Sequence, residues 1–290
     1  MIVQAAAKIN LMLDVLGTLP DGYHSLFMVM QSVGCYDFVE VKRTNSEKIE
    51  ILTDDERVPK GEKNIAYKAA QAFFAATHVQ NTGISIAIEK HIPMAAGLAG
   101  GSADAAGVLY ALNALFQTDL PISALQRIGE RVGADVPFAL SGGTALCMDK
   151  GGVIAPLLPL QNKWVVLCKP QMDVSTVSAY QQLDEALHLR HADKNAMLYA
   201  MHTGDYALLC EKADNVFEQV IEVPARPVIK GIMRKHGADL ALMSGSGPTV
   251  YGLFCEKDKA ERCACELKKQ FPQTVLCETV ARGVETVKES

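Results

Sequence analysis

An α+β fold is what the sequence predicts, on three observations. Strand-like and helix-like segments come in unequal clusters, without the steady alternation of a doubly wound sheet. Residues 83–90 alternate cleanly, with Ile84, Ile86 and Ile88 facing one way and Ser85, Ala87 and Glu89 the other, the pattern of a half-buried strand. Residues 175–236 carry mostly helical spacing instead.

The elements follow in order. Residues 2–16 read as strand-rich, broken near Lys8 and ended by Gly17 and the turn Pro20-Asp21-Gly22. Residues 38–42 and 48–52 read as further strands, and alanines and aromatics at helical spacing mark a helix over 64–76. After the strand at 83–90 comes a glycine-rich turn, then a helix over 102–116 with Val108, Leu109, Leu112, Leu115 and Phe116 on one face. Strands are expected over 144–148 and 164–169. Beyond the helix-rich stretch, strands over 239–243 and 249–255 flank a second glycine-rich turn, and a helix and a strand over 274–280 follow. The character changes from mixed to helix-rich near 158–164, which predicts one unit over 1–160 and a second over 161–290. No internal repeat is evident.

Composition narrows the classes of function. A hydrophobic content of 49% supports an extensive core, and 21% charged residues without a polar tract argues against disorder. A formal net charge of −5 with no basic stripe argues against a nucleic-acid partner. No apolar run is long enough to span a bilayer, and the first residues lack the pattern of a signal peptide, so no membrane partner is expected. The cysteines are scattered without a C-x-x-C pair, as expected of free thiols in a reducing cytoplasm. The histidines give no convincing metal set.

The most informative segment is Pro93-Met94-Ala95-Ala96-Gly97-Leu98-Ala99-Gly100-Gly101-Ser102-Ala103, between a strand and a helix. Its glycines let backbone approach an anion and permit positive φ, and the helix that Ser102 opens favours negative charge at its N-terminus. That is the physics of a phosphate cradle. It is neither a Walker A loop, since no Gly-Lys-Ser/Thr follows, nor a Rossmann fingerprint. Glycine spacing alone leaves a tightly packed strand-to-helix turn open as the alternative. Lys8, among apolar strand residues, needs an anion if it is buried. Asp135, before Val136-Pro137, is either a base or a helix cap.

The loop resembles the ATP loop of the GHMP kinases. Two further segments match that family in its order: Ala7-Lys8-Ile9-Asn10-Leu11 near the start, and Met243-Ser244-Gly245-Ser246-Gly247-Pro248 near the end. The resemblance implies a two-domain fold. Its N-terminal domain, of the ribosomal-protein-S5-domain-2-like type, contains a left-handed β-α-β unit, and its C-terminal domain is ferredoxin-like. It implies a small-molecule kinase using ATP and Mg²⁺. Asp21-Gly22-Tyr23-His24, the stretch G-A-D-V-P-F at 133–138 and K-P-Q-M-D-V-S-T at 169–176 are similar to one branch of the family. That branch phosphorylates the 2-hydroxyl of a cytidine diphosphate derivative of methylerythritol in the non-mevalonate route to isoprenoids.

Carried over by the resemblance, Lys8 and Asp135 are catalytic, Asp135 as the general base. The backbone of Pro93 to Ala103 holds ATP, with Asn64 and Lys90 around the nucleotide and Ser102 near the β-phosphate or Mg²⁺. Tyr23 and Tyr180 stack on cytosine, His24 bonds its edge, and Asn10 holds the methylerythritol end. The chain departs from the pattern at Ala5 and Ala6, where a proline often stands, at Ala95, Ala96 and Ala99 in place of glycine, and at Lys63 in place of an acidic residue. A monomer or homodimer in a bacterial cytoplasm is the expected setting. Homoserine kinase, a mevalonate-pathway kinase, or a nucleotide-binding regulator without turnover are the competing expectations.

Overall fold

The structure is a computed structural model that describes residues 1–20, 22–53 and 55–287, so Asp21 of the expected first turn lies outside the described residues. The chain opens with three strands, β1 (Ile2–Thr18), β2 (His24–Arg43) and β3 (Ile49–Thr53), followed by helix α1 (Ile65–Thr77) and strand β4 (Ile84–Glu89). Helices α2 (Gly100–Leu115), α3 (Ile122–Glu130) and α4 (Val136–Ser141) come next, then strands β5 (Thr144–Asp149), β6 (Val153–Pro156) and β7 (Trp164–Cys168). A helical stretch holds α5 (Thr176–Asp184), α6 (Lys194–Thr203) and α7 (Tyr206–Lys212), the short strand β8 (Asp214–Asn215), a 3₁₀ turn (Val216–Gln219) and α8 (Arg226–Lys235). The remainder is β9 (Leu240–Met243), β10 (Val250–Phe254), α9 (Lys257–Lys268), β11 (Thr274–Glu278) and β12 (Val284–Thr286).

Two sheets result. In the first, the path is β12-β1-β2-β4-β3. β2 is long enough to serve two partners: Leu26–Gln31 pairs with β5, and Phe38–Arg43 pairs with β4. β3 and β4 run parallel, joined through α1. In the second sheet the order is β11-β7-β10-β9, all antiparallel. Counting those strands in chain order gives 4-1-3-2, with α8 and α9 in the helical positions, which is the ferredoxin-like arrangement. Both β8 and β12 return to the first sheet, against β1.

The second sheet is buried on both faces, and period-2 alternation sorts its residues. Val166 and Cys168 face α8 and α9, packing with Ile229, Met233, Cys263 and Leu267, whereas Val165 and Leu167 join the core shared with the first sheet. α2 lies on the first sheet, and Gly107 lets it sit close: a Cβ there would stand 3.2 Å from Val39 Cγ2.

The structure corrects the sequence-based outline at several points. β1 runs unbroken through Lys8; the irregularity there is a register shift against β2 between Ala6 and Ala7. β2 spans 20 residues where the sequence predicts only 38–42, because Phe27, Met28, Val29 and Met30 are all buried and leave no alternation to read. The sequence outline has no counterpart to α3, and α4 only in the cap alternative for Asp135. With six residues and Pro137 in its first turn, α4 is too short for helical periodicity to show. The stretch 175–236 is broken into separate short helices around β8, and the last expected strand stops at Glu278, with β12 beyond it.

Candidate active site

The glycine loop joins β4 to α2. Ala99 is the N-cap of α2 and makes no side-chain cap bond, so no side chain competes for the N–H groups that open this helix. Three loop residues take left-handed backbone: Ala95 (φ 49°), Gly97 (φ 73°) and Ala99 (φ 57°). The alanines therefore adopt glycine-like geometry in spite of their Cβ atoms.

The second glycine turn, between β9 and β10, buttresses the first. Ser244 Oγ donates to the carbonyl of Gly97 at 2.9 Å. A Cβ on Gly97 would lie 2.1 Å from the Ser244 carbonyl oxygen, so glycine is required for this approach. Asn215 Nδ2 donates to the carbonyls of Met243 (2.7 Å) and Gly245 (2.8 Å), fixing the second turn from β8. β1 ties in both turns: the Lys8 N–H donates to Leu98 O at 3.1 Å, and Asn10 Oδ1 accepts from the Gly245 N–H at 3.0 Å.

These elements form one wall of a cleft of about 1240 Å³, larger than the few hundred to about 1,000 Å³ usual for a single small ligand. Pro93 to Gly101 line it continuously, together with Lys8, Asp135, Tyr23, His24 and Tyr180. Lys8 is buried, and its Nζ donates to Asn10 Oδ1 at 2.6 Å. Burial pulls its ammonium below the ordinary lysine value, while the charge of Asp135 works the other way. Asp135 opens α4 without capping it, which leaves its carboxylate for the cleft. The same charge reaches two other neighbours. Burial first, then Asp135, pushes the Cys147 thiol up to about 12 and raises the Tyr180 phenol as well.

Also lining the cleft, the rings of His24 and Tyr180 stack, 4.5 Å apart and 25° from parallel. His24 Nε2 is paired with Asp184 Oδ1 at 2.7 Å, and Tyr180 rests edge-on against Phe217. Tyr23 is 63% exposed, with the Lys150 ammonium 4.5 Å from its ring centre. Two aromatic faces and a polar ring edge thus sit beside the loop and the Lys8–Asp135 pair.

Not every expected residue reaches the cleft. Asn10 is fully buried behind Lys8, with its amide oxygen shared between Lys8 and Gly245 and its Nδ2 without a partner among the described residues. The lining runs to Gly101 and resumes at Asp104, so the expected Ser102 is not part of it, and Ala103 belongs to the core. Asn64 lines the cleft, but both ends of its amide are engaged: Oδ1 accepts from the Ala66 N–H at 2.8 Å as an N-cap, and Nδ2 donates to Pro59 O at 2.8 Å. Lys90 also lines it, with its ammonium bonded to Asp37 and Asp104.

Sequence inspection passed over Asp37, Asp104, Ser244's carbonyl contact and Asp184. The first could have been found as Lys8 was, since a charged residue between Tyr36 and Phe38 in a strand calls for a buried partner. Among the described residues no group of three His, Cys, Asp or Glu could hold a metal ion, and no helix is long and apolar enough to cross a membrane.

A glycine loop that opens a helix, buttressed by a second glycine turn on this pair of sheets, matches a class of small-molecule kinases, and comparison with known proteins agrees. The GHMP kinases N terminal domain matches residues 64–143, and the GHMP kinases C terminal domain matches 195–273. The chain belongs to the GHMP kinase family. A 4-diphosphocytidyl-2-C-methyl-D-erythritol kinase of Clostridium acetobutylicum is 40% identical over 280 residues, covering 96% of this chain and 99% of that one. One of Geobacillus thermodenitrificans is 42% identical over 263 residues, 90% of each chain. Among solved structures, a 4-(cytidine 5'-diphospho)-2C-methyl-D-erythritol kinase superposes with a TM-score of 0.75 at 31% identity, covering 96% of this chain and 99% of that one. A homoserine kinase from Cytophaga hutchinsonii superposes with a TM-score of 0.79 at 20% identity, covering 99% and 97% of the two chains, a likeness of fold alone.

Proposed function

We propose that this kinase transfers the γ-phosphoryl group of ATP to the 2-hydroxyl of 4-diphosphocytidyl-2-C-methyl-D-erythritol. The observation that carries the proposal is the cleft that Lys8 and Asp135 line together with the glycine loop and the rings of Tyr23, His24 and Tyr180. The near full-length similarity to kinases of that name supports the choice of acceptor over homoserine or mevalonate.

In this reading Asp135 accepts the proton of the acceptor hydroxyl as its oxygen attacks the γ-phosphorus. A new P–O bond forms, the bond to the β–γ bridging oxygen breaks, and ADP leaves. Lys8, held by Asn10, supplies positive charge where the transferred group passes. Backbone N–H groups of the loop and of the first turn of α2 receive the nucleotide's phosphates. Asn10 acts by orienting Lys8, and Asn64 by fixing the start of α1 beside the nucleotide. Mg²⁺ would neutralise phosphate charge, held chiefly by the phosphates, with the Ser102 hydroxyl at the start of α2 a candidate protein ligand. Tyr23 and Tyr180 offer π faces to the cytosine ring, and entry between them separates Tyr180 from His24 or slides along that stack.

The test is release of ADP from ATP and Mg²⁺ with the cytidyl acceptor, homoserine and mevalonate in parallel, and with Asp135→Asn as control. Turnover of the cytidyl compound alone, lost in the variant, is the expected result. Turnover of a different alcohol would discard the acceptor, and nucleotide binding without any turnover would favour a regulator.

A further inference from the structure

The loop that faces the phosphates has no polar side chain of its own between Pro93 and Gly101. Something outside it must therefore hold its two ends. Lys90 is the first residue after β4, with His91 and Ile92 between it and the loop's Pro93, and Asp104 lies in α2 just after the loop. One ammonium joins them: Lys90 Nζ donates to Asp104 Oδ2 at 2.7 Å and also to Asp37 Oδ2. The other oxygen of Asp37 accepts the backbone N–H groups of His91 (2.6 Å) and Ile92 (2.8 Å), the two residues that lead into the loop. All three side chains are buried, with 7%, 0% and 6% of Lys90, Asp37 and Asp104 exposed, so these bonds are shielded from water and salt. The cluster lies directly under the loop, since a Cβ on Gly100 would meet Lys90 Nζ at 3.3 Å.

We propose that Lys90, Asp37 and Asp104 are positioning residues that clamp both ends of the loop, and that Lys90 acts on the nucleotide through the loop backbone rather than by touching it. The inference rests on the nucleotide reading of the loop given above. The electrostatics bind the three groups together, although Asp104 Oδ1 has no hydrogen-bond partner among the described residues. Burial opposes the charge of Lys90, yet Asp104 and Asp37 together hold its ammonium above the ordinary lysine value. Burial raises the Asp104 carboxyl well above the usual carboxylate range, with Lys90 opposing that shift.

Asp37→Asn is the decisive variant, because Asp37 is fully buried and does not line the cleft. Its amide would set an N–H against the Lys90 ammonium and open the clamp. Titration of the full chain with ATP and with ADP, both with Mg²⁺, requires no acceptor. We expect both nucleotides to weaken by the same factor, about tenfold, as a small misplacement of a binding loop would produce. The kcat at saturating ATP should stay within about twofold, and amide exchange across 91–101 should rise. Undiminished binding of both nucleotides would overturn the clamp. Lys90→Met should also weaken ATP and ADP alike, and Lys90→Arg should recover part of the loss. A loss far greater for ATP than for ADP would instead put Lys90 on the γ-phosphate and overturn the inference. Should Asp37→Asn fail to fold, Asp104→Leu cuts the helix-side tie at similar volume and is held to the same equal-loss criterion. Absence of nucleotide binding by the unaltered protein would sink the functional reading itself, whereas binding that survives Asp37→Asn sinks only the clamp.

Discussion

The two turns are both rich in glycine and pack against each other backbone to backbone, yet they do different work. The turn after β4 opens a helix and lines the cleft from Pro93 to Gly101. The turn after β9 joins two antiparallel strands and is filled from behind by Asn10 and Asn215, with Ser244 reaching across to Gly97. In the first, absent side chains leave backbone free for a ligand. The second leaves room chiefly for neighbouring backbone, as Gly97 does in the first, though its Gly245 and Ser246 also line the cleft. Glycine content alone does not separate these roles; the element that follows does, because only a helix brings a run of unpaired N–H groups to bear on an anion.

Lys8 stands where the two turns meet, and it gives the largest test of the comparison. Its backbone N–H holds Leu98 of one turn, and its Nζ lies 3.3 Å from where a Cβ on Gly245 of the other would be. If Lys8 serves the transferred phosphoryl group, Lys8→Met should lower kcat by about 10²-fold or more, the usual scale for losing one charge-stabilising group. Affinity for ATP should change by no more than about threefold. Equal losses in kcat and in nucleotide affinity would place Lys8 in ground-state binding and make it part of the cradle.

The contact between the turns is tested next, through stability. Gly97→Ala drives a Cβ to 2.1 Å from a backbone oxygen, which cannot yield as a side-chain tip would. A loss of about 3 kcal/mol or more is expected, combining overpacking with left-handed strain. Gly204 is the matched control: its φ is 71° but nothing lies within 4 Å of an added Cβ, so Gly204→Ala should lose only about 1 kcal/mol. Denaturant unfolding of the two variants side by side checks the difference. Similar losses would mean that the turns do not pack as closely as their backbones require. Ser244→Ala removes the single hydrogen bond to Gly97 and should lose about 1 kcal/mol.

How much of this was legible in the sequence follows from the range of each interaction. The glycine loop, the strand before it and the helix after it could be read because their signals are local: period-2 isoleucines, then glycines, then a helical face. The ferredoxin-like order of the second sheet came only through family resemblance, since nothing local in β7 says that it lies between β10 and β11. The same limit hid the clamp. Asp37 and Lys90 are 53 residues apart, and neither residue's surroundings name the other. Lys8 drew attention as a charge in an apolar strand; Asn10 was placed by the resemblance, because nothing local shows which way a polar residue in that strand faces. The length of β2 was hidden for a different reason: a strand buried on both faces loses the alternation by which strands are recognised.

The smallest test asks what the alanines at 95 and 99 do to the first turn. Both hold left-handed backbone, φ 49° and 57°, where a Cβ is disfavoured by about 1–2 kcal/mol. Replacing Ala99 with glycine relieves that strain, and glycine is also the better N-cap residue. Against this stands the greater freedom glycine confers on the unfolded chain, about 0.5–1 kcal/mol. The balance favours Ala99→Gly by up to about 1 kcal/mol, a rise in Tm of about 2 °C for a chain of this size. The second turn offers no such gain, because its left-handed positions, Gly245 and Gly247, are already glycine. A thermal scan that shows the rise would mean that the cradle carries strain its buttress does not. No rise, or a fall, would mean that alanine at 99 reaches this geometry without strain, and that the two turns differ only in what surrounds them.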